Sequence, residues 1–154
     1  MKLCYPAPGQ THKIPLLRAP AQKSDESDAD FAKRCEVQAD SPLSRIYVSV
    51  RLMKQEAVID WGHQADQIRA QAEKAALERD PKAAADQLKA LLALQREVII
   101  AACAGLEPVE VGGKNLADAG LDPKERADLL PDALLGPVYL ACLRGQRPEP
   151  EQRD

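Results

Sequence analysis

The stretch SPLSRIYVSVRLMKQEAVIDWG, residues 41–62, decides how the chain is read. It opens with Ser41-Pro42, a capping serine followed by proline at the first helical position. Leu43, Ile46, Tyr47, Val50, Met53, Ala57, Val58 and Trp61 then recur in steps of three or four, which predicts one apolar face of a helix over 42–61. The run Ile46-Tyr47-Val48-Ser49-Val50 offers a strand as the competing reading, because β-branched side chains favour extended backbone. Without clean alternation with polar residues, helix is the preferred assignment. Gly62 then loosens that helix or ends it.

Working outward, residues 64–79 are alanine-rich and charged, with Ile68, Ala72, Ala75 and Ala76 as a thin stripe. Such a segment forms helix but has little to bury, so it projects or packs loosely. Asp80-Pro81 reopens a helix with cap and proline in place. Its predicted face is Ala84, Leu88, Leu91, Leu92, Gln95, Val98, Ile99, Ala102 and Cys103, with Gly105 as the stop. The helices 42–61 and 81–104 are expected to pair as the centre of an antiparallel bundle. Beyond them Val109 and Val111 alternate with acids before Gly112-Gly113, a small β excursion closed by a glycine turn. Asp122-Pro123-Lys124-Glu125 opens a short helix, and a second follows Pro131-Asp132 to about Leu143, with Gly136-Pro137 kinking its start.

The ends read differently. Residues 1–23 form an extended arm or hairpin, with strands at Lys2–Tyr5 and His12–Arg18 around the turn-rich Pro6–Thr11; Pro15 makes the second an edge strand at best. Ser27 or Asp28 caps a short helix to about Gln38. The tail 145–154 is polar with two prolines and is expected to be disordered. The expected fold is thus mostly α: a short N-terminal β element (1–23), one small helical domain (24–144) and a disordered C-terminal tail.

Composition narrows the function. Of 154 residues 45% count as apolar, but 25 are alanine and only five are aromatic, so 19 leucines carry the core. Net charge is −3, with +4 on residues 1–23 against −4 on 24–40. A basic arm beside an acidic segment docks on itself, or it reaches for an acidic partner. No global positive field or aromatic platform exists to draw nucleic acid, so none is expected as a partner. No run approaches the ~20 apolar residues of a membrane span. Without a signal peptide, Cys4, Cys35, Cys103 and Cys142 are expected as free thiols in a reducing cytoplasm. Their wide spacing, with only His12 and His63 to help, does not suit a metal site.

Catalytic chemistry finds little footing. Asp60-Trp61-Gly62-His63 places an acid and a histidine together, which allows a small enzyme using His63 with Asp60. The competing view is that Trp61 seals the core while His63 meets solvent, since no nucleophile or oxyanion donor accompanies them. Val111–Asn115 lacks the spacing of a phosphate-binding loop. No catalytic residue, metal or cofactor is therefore expected. The excess apolar residues at 129–143 remain. Leu130, Leu134, Leu135, Val138 and Tyr139 are the candidate partner-binding residues, the other reading being two-sided burial inside the domain.

Three pieces of sequence carry a family resemblance: Lys13-Ile14-Pro15-Leu16-Leu17-Arg18-Ala19-Pro20; Glu97–Leu106 with the following Gly112-Gly113-Lys114-Asn115-Leu116; and Leu130-Pro131-Asp132-Ala133-Leu134-Leu135. In this order, around a charged helical middle, they resemble bacteriophage tail assembly chaperones. The acidic 24–40 segment and the alanine-rich middle have no counterpart in it. The resemblance implies a non-enzymatic factor in the bacterial host cytoplasm that binds tail tube or tape-measure subunits before assembly. The alternative is a helical structural adaptor or homo-oligomeric component of an assembled particle.

Overall fold

The computed structural model describes residues 1–153. Asp154, the last residue of the expected tail, lies outside the described residues. Helices hold 54% of the chain, and strands are few and short. Strand β1 is Lys2–Cys4, β2 Thr11–Pro15, β3 Tyr47–Arg51, β4 Cys103–Glu107, β5 Glu110–Val111, β6 Lys114–Asn115 and β7 Glu151–Arg153. Helix α1 is Asp28–Asp40, α2 Gln55–Leu77, α3 Pro81–Ala102, α4 Pro123–Leu129 and α5 Asp132–Arg144.

The deciding stretch divides in a way its helical spacing did not suggest. Ser41 caps only a 3-10 turn, Pro42–Arg45, its hydroxyl accepting from the Leu43 amide. Residues 47–51 are the strand β3, which corrects the helix expected over 42–61. Ile46, Val48, Val50 and Leu52 are all buried, while Tyr47, Ser49 and Arg51 are not, a period of two that overrides the helical spacing. Helix begins at Gln55 and runs unbroken through Gly62 to Leu77, so the alanine-rich segment is its continuation.

β3 is the middle of an antiparallel sheet ordered β2-β3-β4. Ile14 faces Val48 and His12 faces Val50 on one side, and Leu106 faces Val48 on the other. The sheet is knitted from residues some 35 and 60 positions apart in the chain, as the 14/48 and 48/106 pairs show. Helix α3 runs directly into β4 at Cys103, so Gly105 sits within a strand and does not stop the helix. Helices α2 and α3 pack against each other, joined at Glu78–Asp80, where Asp80 caps α3 by accepting from the Ala83 amide. Helix α5 lies between α3 and β3, and α4 lies against α3 and β4. One core joins these parts, from Leu16 through Val48, Val50, Trp61, Leu94, Val98 and Leu106 to Val138 and Cys142.

Two small ribbons finish the fold. β5 and β6 form a hairpin whose two-residue turn, Gly112-Gly113, has φ of 59° and 78°, the left-handed region that glycine enters without a Cβ clash. β1 does not pair with β2; it pairs with β7, so residues 151–153 of the expected disordered tail return to the N-terminus. Gln146 ties the start of that tail to the sheet edge, its Nε2 donating to Arg51 O at 3.0 Å and its Oε1 accepting from the Met53 amide at 2.8 Å. The acidic segment closes largely on itself: Arg34 meets Glu26 at 2.6 Å and lies 5.8 Å over Phe31. That guanidinium holds the Glu26 carboxyl below the usual carboxylate range. The basic arm touches the segment through hydrogen bonds, with Gln22 donating to Asp28, Arg34 donating to Ala21 O and Gln38 donating to Arg18 O. Lys13 pairs instead with Glu107 of β4.

Candidate functional site

Helix α5 carries the residues singled out for partner binding, and their burial follows from its position. Asp132 places an acid in the first turn, which suits the helix dipole. Pro137 removes one backbone donor, whose helical acceptor would be the carbonyl of exposed Ala133, so water can take the bond. Gly136 before it has no Cβ to meet the proline ring. Because α5 is packed between α3 and β3, two of its faces are covered. Leu134, Val138 and Tyr139 are buried, as is Leu130 just before the helix, and Leu135 is half-buried. Their apolar excess is taken up inside the chain. Burial also raises the Tyr139 phenol above its ordinary value. On this helix only Leu140 is a large apolar residue left open, at 59% exposure.

Other open apolar residues lie on the helical hairpin, Ile59 and Leu77 on α2 and Leu88 and Leu92 on α3, as well as near the N-terminus at Leu3 and Tyr5. Helices of 23 and 22 residues span roughly 33–35 Å at 1.5 Å per residue. Their anchors in the core are Trp61 near the start of α2 and Leu94, Val98, Ile99 and Ala102 near the end of α3. Between Arg69 and Ala93 only Ala75 is buried. On α3, Ala85, Leu88, Leu92, Gln95 and Ile99 recur every three or four residues and so share a stripe. Its C-terminal end is covered, with Ile99 1% exposed. Its N-terminal end is bare, with Leu88 58% and Leu92 44% exposed. These two leucines stood in the predicted core face of the helix.

The polar interior is built around one residue that sequence reasoning missed. Arg126 of α4 is 2% exposed, the only buried charged side chain among the described residues. Its Nε donates to Leu116 O at 3.1 Å, Nη1 to Cys103 O at 3.2 Å, and Nη2 to Asp118 O at 2.9 Å. The guanidinium thus ties the segment 103–118 to α4, adding a charged donor to Leu116 O and Asp118 O, which also accept from the Leu106 and Leu121 amides. Cys103 and Cys142 lie together behind it, both buried. A hydrogen bond between the thiols holds Cys103 below and Cys142 above the ordinary thiol value, and burial adds to the rise at Cys142. Both thiols are sealed from solvent, which suits packing more than reaction.

The remaining candidates stand apart. Asp60 accepts from Gln64 Nε2 at 2.9 Å, and His63 is exposed on the next turn of α2. His12 points inward from β2, its Nε2 2.8 Å from Gly145 O. Among the described residues no group of three or more His, Cys, Asp or Glu side chains could hold a metal ion, and no helix is long and apolar enough to cross a membrane. Comparison with protein-family models, with characterised proteins and with solved structures returns no match to this chain.

Proposed function

We propose that this protein is a non-enzymatic protein-binding factor that presents the α2–α3 hairpin to its partner. The observation that carries this reading is the α3 stripe, whose buried end at Ile99 continues into bare Leu88 and Leu92. A partner helix laid along that stripe would extend the row in which α5 already packs on α3. Removing Leu88 and Leu92 from water would supply the apolar part of the affinity, and the surrounding charges would set specificity. The partner class comes from the resemblance to tail assembly chaperones: a tail tube or tape-measure subunit held before polymerisation, in a bacterial cytoplasm. The proposed contact therefore moves from Leu130, Leu134, Leu135, Val138 and Tyr139 to Leu88 and Leu92.

Co-expression with tail tube and tape-measure proteins tests it. The expected outcome is a complex and a gain in partner solubility, both lost in Leu88→Glu/Leu92→Glu with an unchanged melting temperature. Failure to form any complex would count against the reading. A partner-free dimer that the same double substitution dissociates would favour the homo-oligomeric adaptor instead.

A further inference from the structure

We infer that the helix received by the α2–α3 hairpin is an acid-flanked amphipathic one of about two heptads, whose carboxylates meet Lys82 and Lys89 of α3. This rests on the hairpin reading above and adds the chemistry of the partner. Ala85, Leu88, Leu92, Gln95, Ile99 and Ala102 are spaced 3, 4, 3, 4 and 3 residues apart, which is the a and d spacing of a coiled-coil seam. The seam is closed at its C-terminal end, where Ile99 and Ala102 are buried, and open from Ala85 to Leu92. Residues 81–95, which hold the open part, span roughly 22 Å at 1.5 Å per residue, room for two heptads of a second helix.

One flank of that seam is basic throughout. Lys82, Lys89 and Arg96 recur every seven residues along it, at the e positions of the heptad, where charge sets the choice of partner. The opposite flank, Ala84, Leu91 and Val98, is uncharged. Where the fold already covers α3, the flank cation has met an acid: α4 packs on α3, and its Asp128 accepts from Arg96. Lys82 and Lys89 are exposed, and neither makes an ion pair with any described residue. Asp86, one turn from each, points away from the seam by its place on the helix and pairs with neither. A helix covering the open end completes the pattern with acids on the same flank, about 10 Å apart along the axis to match the two lysines.

A second copy of α3 is the poorer occupant. Antiparallel pairing that sets Leu88 against Leu92 brings the same flanks together, with the two Lys89 side chains about 3 Å apart along the axis. Such like-charge juxtaposition works against association. Parallel pairing faces each e position with a g position of the copy, so Lys89 meets uncharged Ala84 and gains no acid.

Two fluorescein-labelled peptides test this against the full chain. One is three repeats of Glu-Leu-Ala-Ala-Leu-Glu-Gln, with glutamate on both flanks so that either orientation is served; the other has lysine for every glutamate. Fluorescence anisotropy should show the acidic peptide binding about tenfold tighter or more, although the chain as a whole carries a charge of −3. Lys82→Glu/Lys89→Glu should transfer the preference to the lysine peptide. Leu88→Ser/Leu92→Ser, which changes no charge, should abolish binding of both, and each variant should keep the parent melting temperature. Equal binding of the two peptides, or no binding of the acidic one at millimolar chain, would overturn the inference. So would a preference that Lys82→Glu/Lys89→Glu leaves in place, or a peptide-free dimer that Leu88→Ser/Leu92→Ser dissociates. The hairpin reading fails separately. Binding that survives Leu88→Ser/Leu92→Ser sinks it, whereas equal binding that this variant abolishes keeps the hairpin as the site and removes only the acid preference.

Discussion

Replacing Gly145 with alanine should destabilise the protein by about 3 kcal/mol, and the structure shows why. Gly145 caps α5 with φ of −67°, a conformation any residue adopts, so backbone freedom is not the reason for glycine. Space is. A Cβ placed there would lie 2.7 Å from Val50 Cγ1 and 2.9 Å from both Val50 Cβ and Cγ2. Carbon atoms attract best at about 3.5–4.0 Å, so the overlap is close to an ångström on three atoms at once. Val50 cannot give way, because it is fully buried on the central strand with β2 and β4 on either side. The end of α5 is held too, by His12 on the Gly145 carbonyl and by Gln146 on Arg51 and Met53. Overpacking of this kind costs about 1–3 kcal/mol, and two rigid neighbours argue for the upper end. Urea unfolding followed by circular dichroism should show the midpoint fall at constant slope, with the melting temperature lower by roughly 6–10 °C. Val50→Ala, which alone should cost about 2 kcal/mol as a cavity, removes two of the three obstructing atoms. The double variant should then be more stable than the sum of the two by 1 kcal/mol or more, on the order expected for touching residues. A Gly145→Ala chain within about 0.5 kcal/mol of the parent, or strict additivity with Val50→Ala, would refute the argument.

Gly62 should behave oppositely. It lies within α2 with open space around its Cβ position, so Gly62→Ala should stabilise by about 0.5–1 kcal/mol, read from the same urea midpoint. Arg126→Met should cost about 2 kcal/mol, because the carbonyls of Cys103, Leu116 and Asp118 lose a charged donor while Leu116 and Asp118 keep a backbone one; equilibrium unfolding checks this, and a neutral result would show that the guanidinium bonds add nothing to stability. Acid should loosen residues 24–40 before the core. The Glu26 carboxyl is held low in the folded chain by Arg34, so its contribution is present above the unfolded carboxylate value and is lost as pH falls through the folded one. An NMR titration of Glu26 should therefore give a midpoint below the ordinary carboxylate range, and Arg34→Gln should return it to that range.

Local signals located several elements. Asp80-Pro81 and Asp122-Pro123 cap α3 and α4 with their side chains on the expected amides, Ser27 does so for α1, and Gly112-Gly113 turns a hairpin. β3 was legible too, in the alternation of Ile46, Val48, Val50 and Leu52, but Tyr47 between them disguised the polar half of the pattern. Arg126 had no such sign. An arginine in a short charged helix reads as a solvated side chain, and only the carbonyls of residues 103–118 folding over it make it an interior one.

What the amino-acid sequence determined by itself is therefore the local inventory: several caps and turns, and the mostly helical character. These depend on neighbours within four residues, whose geometry each side chain carries with it. Tertiary structure alone decided which apolar residues are spent and which are left over. The cluster around α5 looked like surplus, yet α3 and β3 cover it from two sides. Leu88 and Leu92 looked like core, yet the body ends before it reaches them. Burial depends on which element arrives at a face from tens of residues away, and a face carries no record in its own sequence of what will cover it.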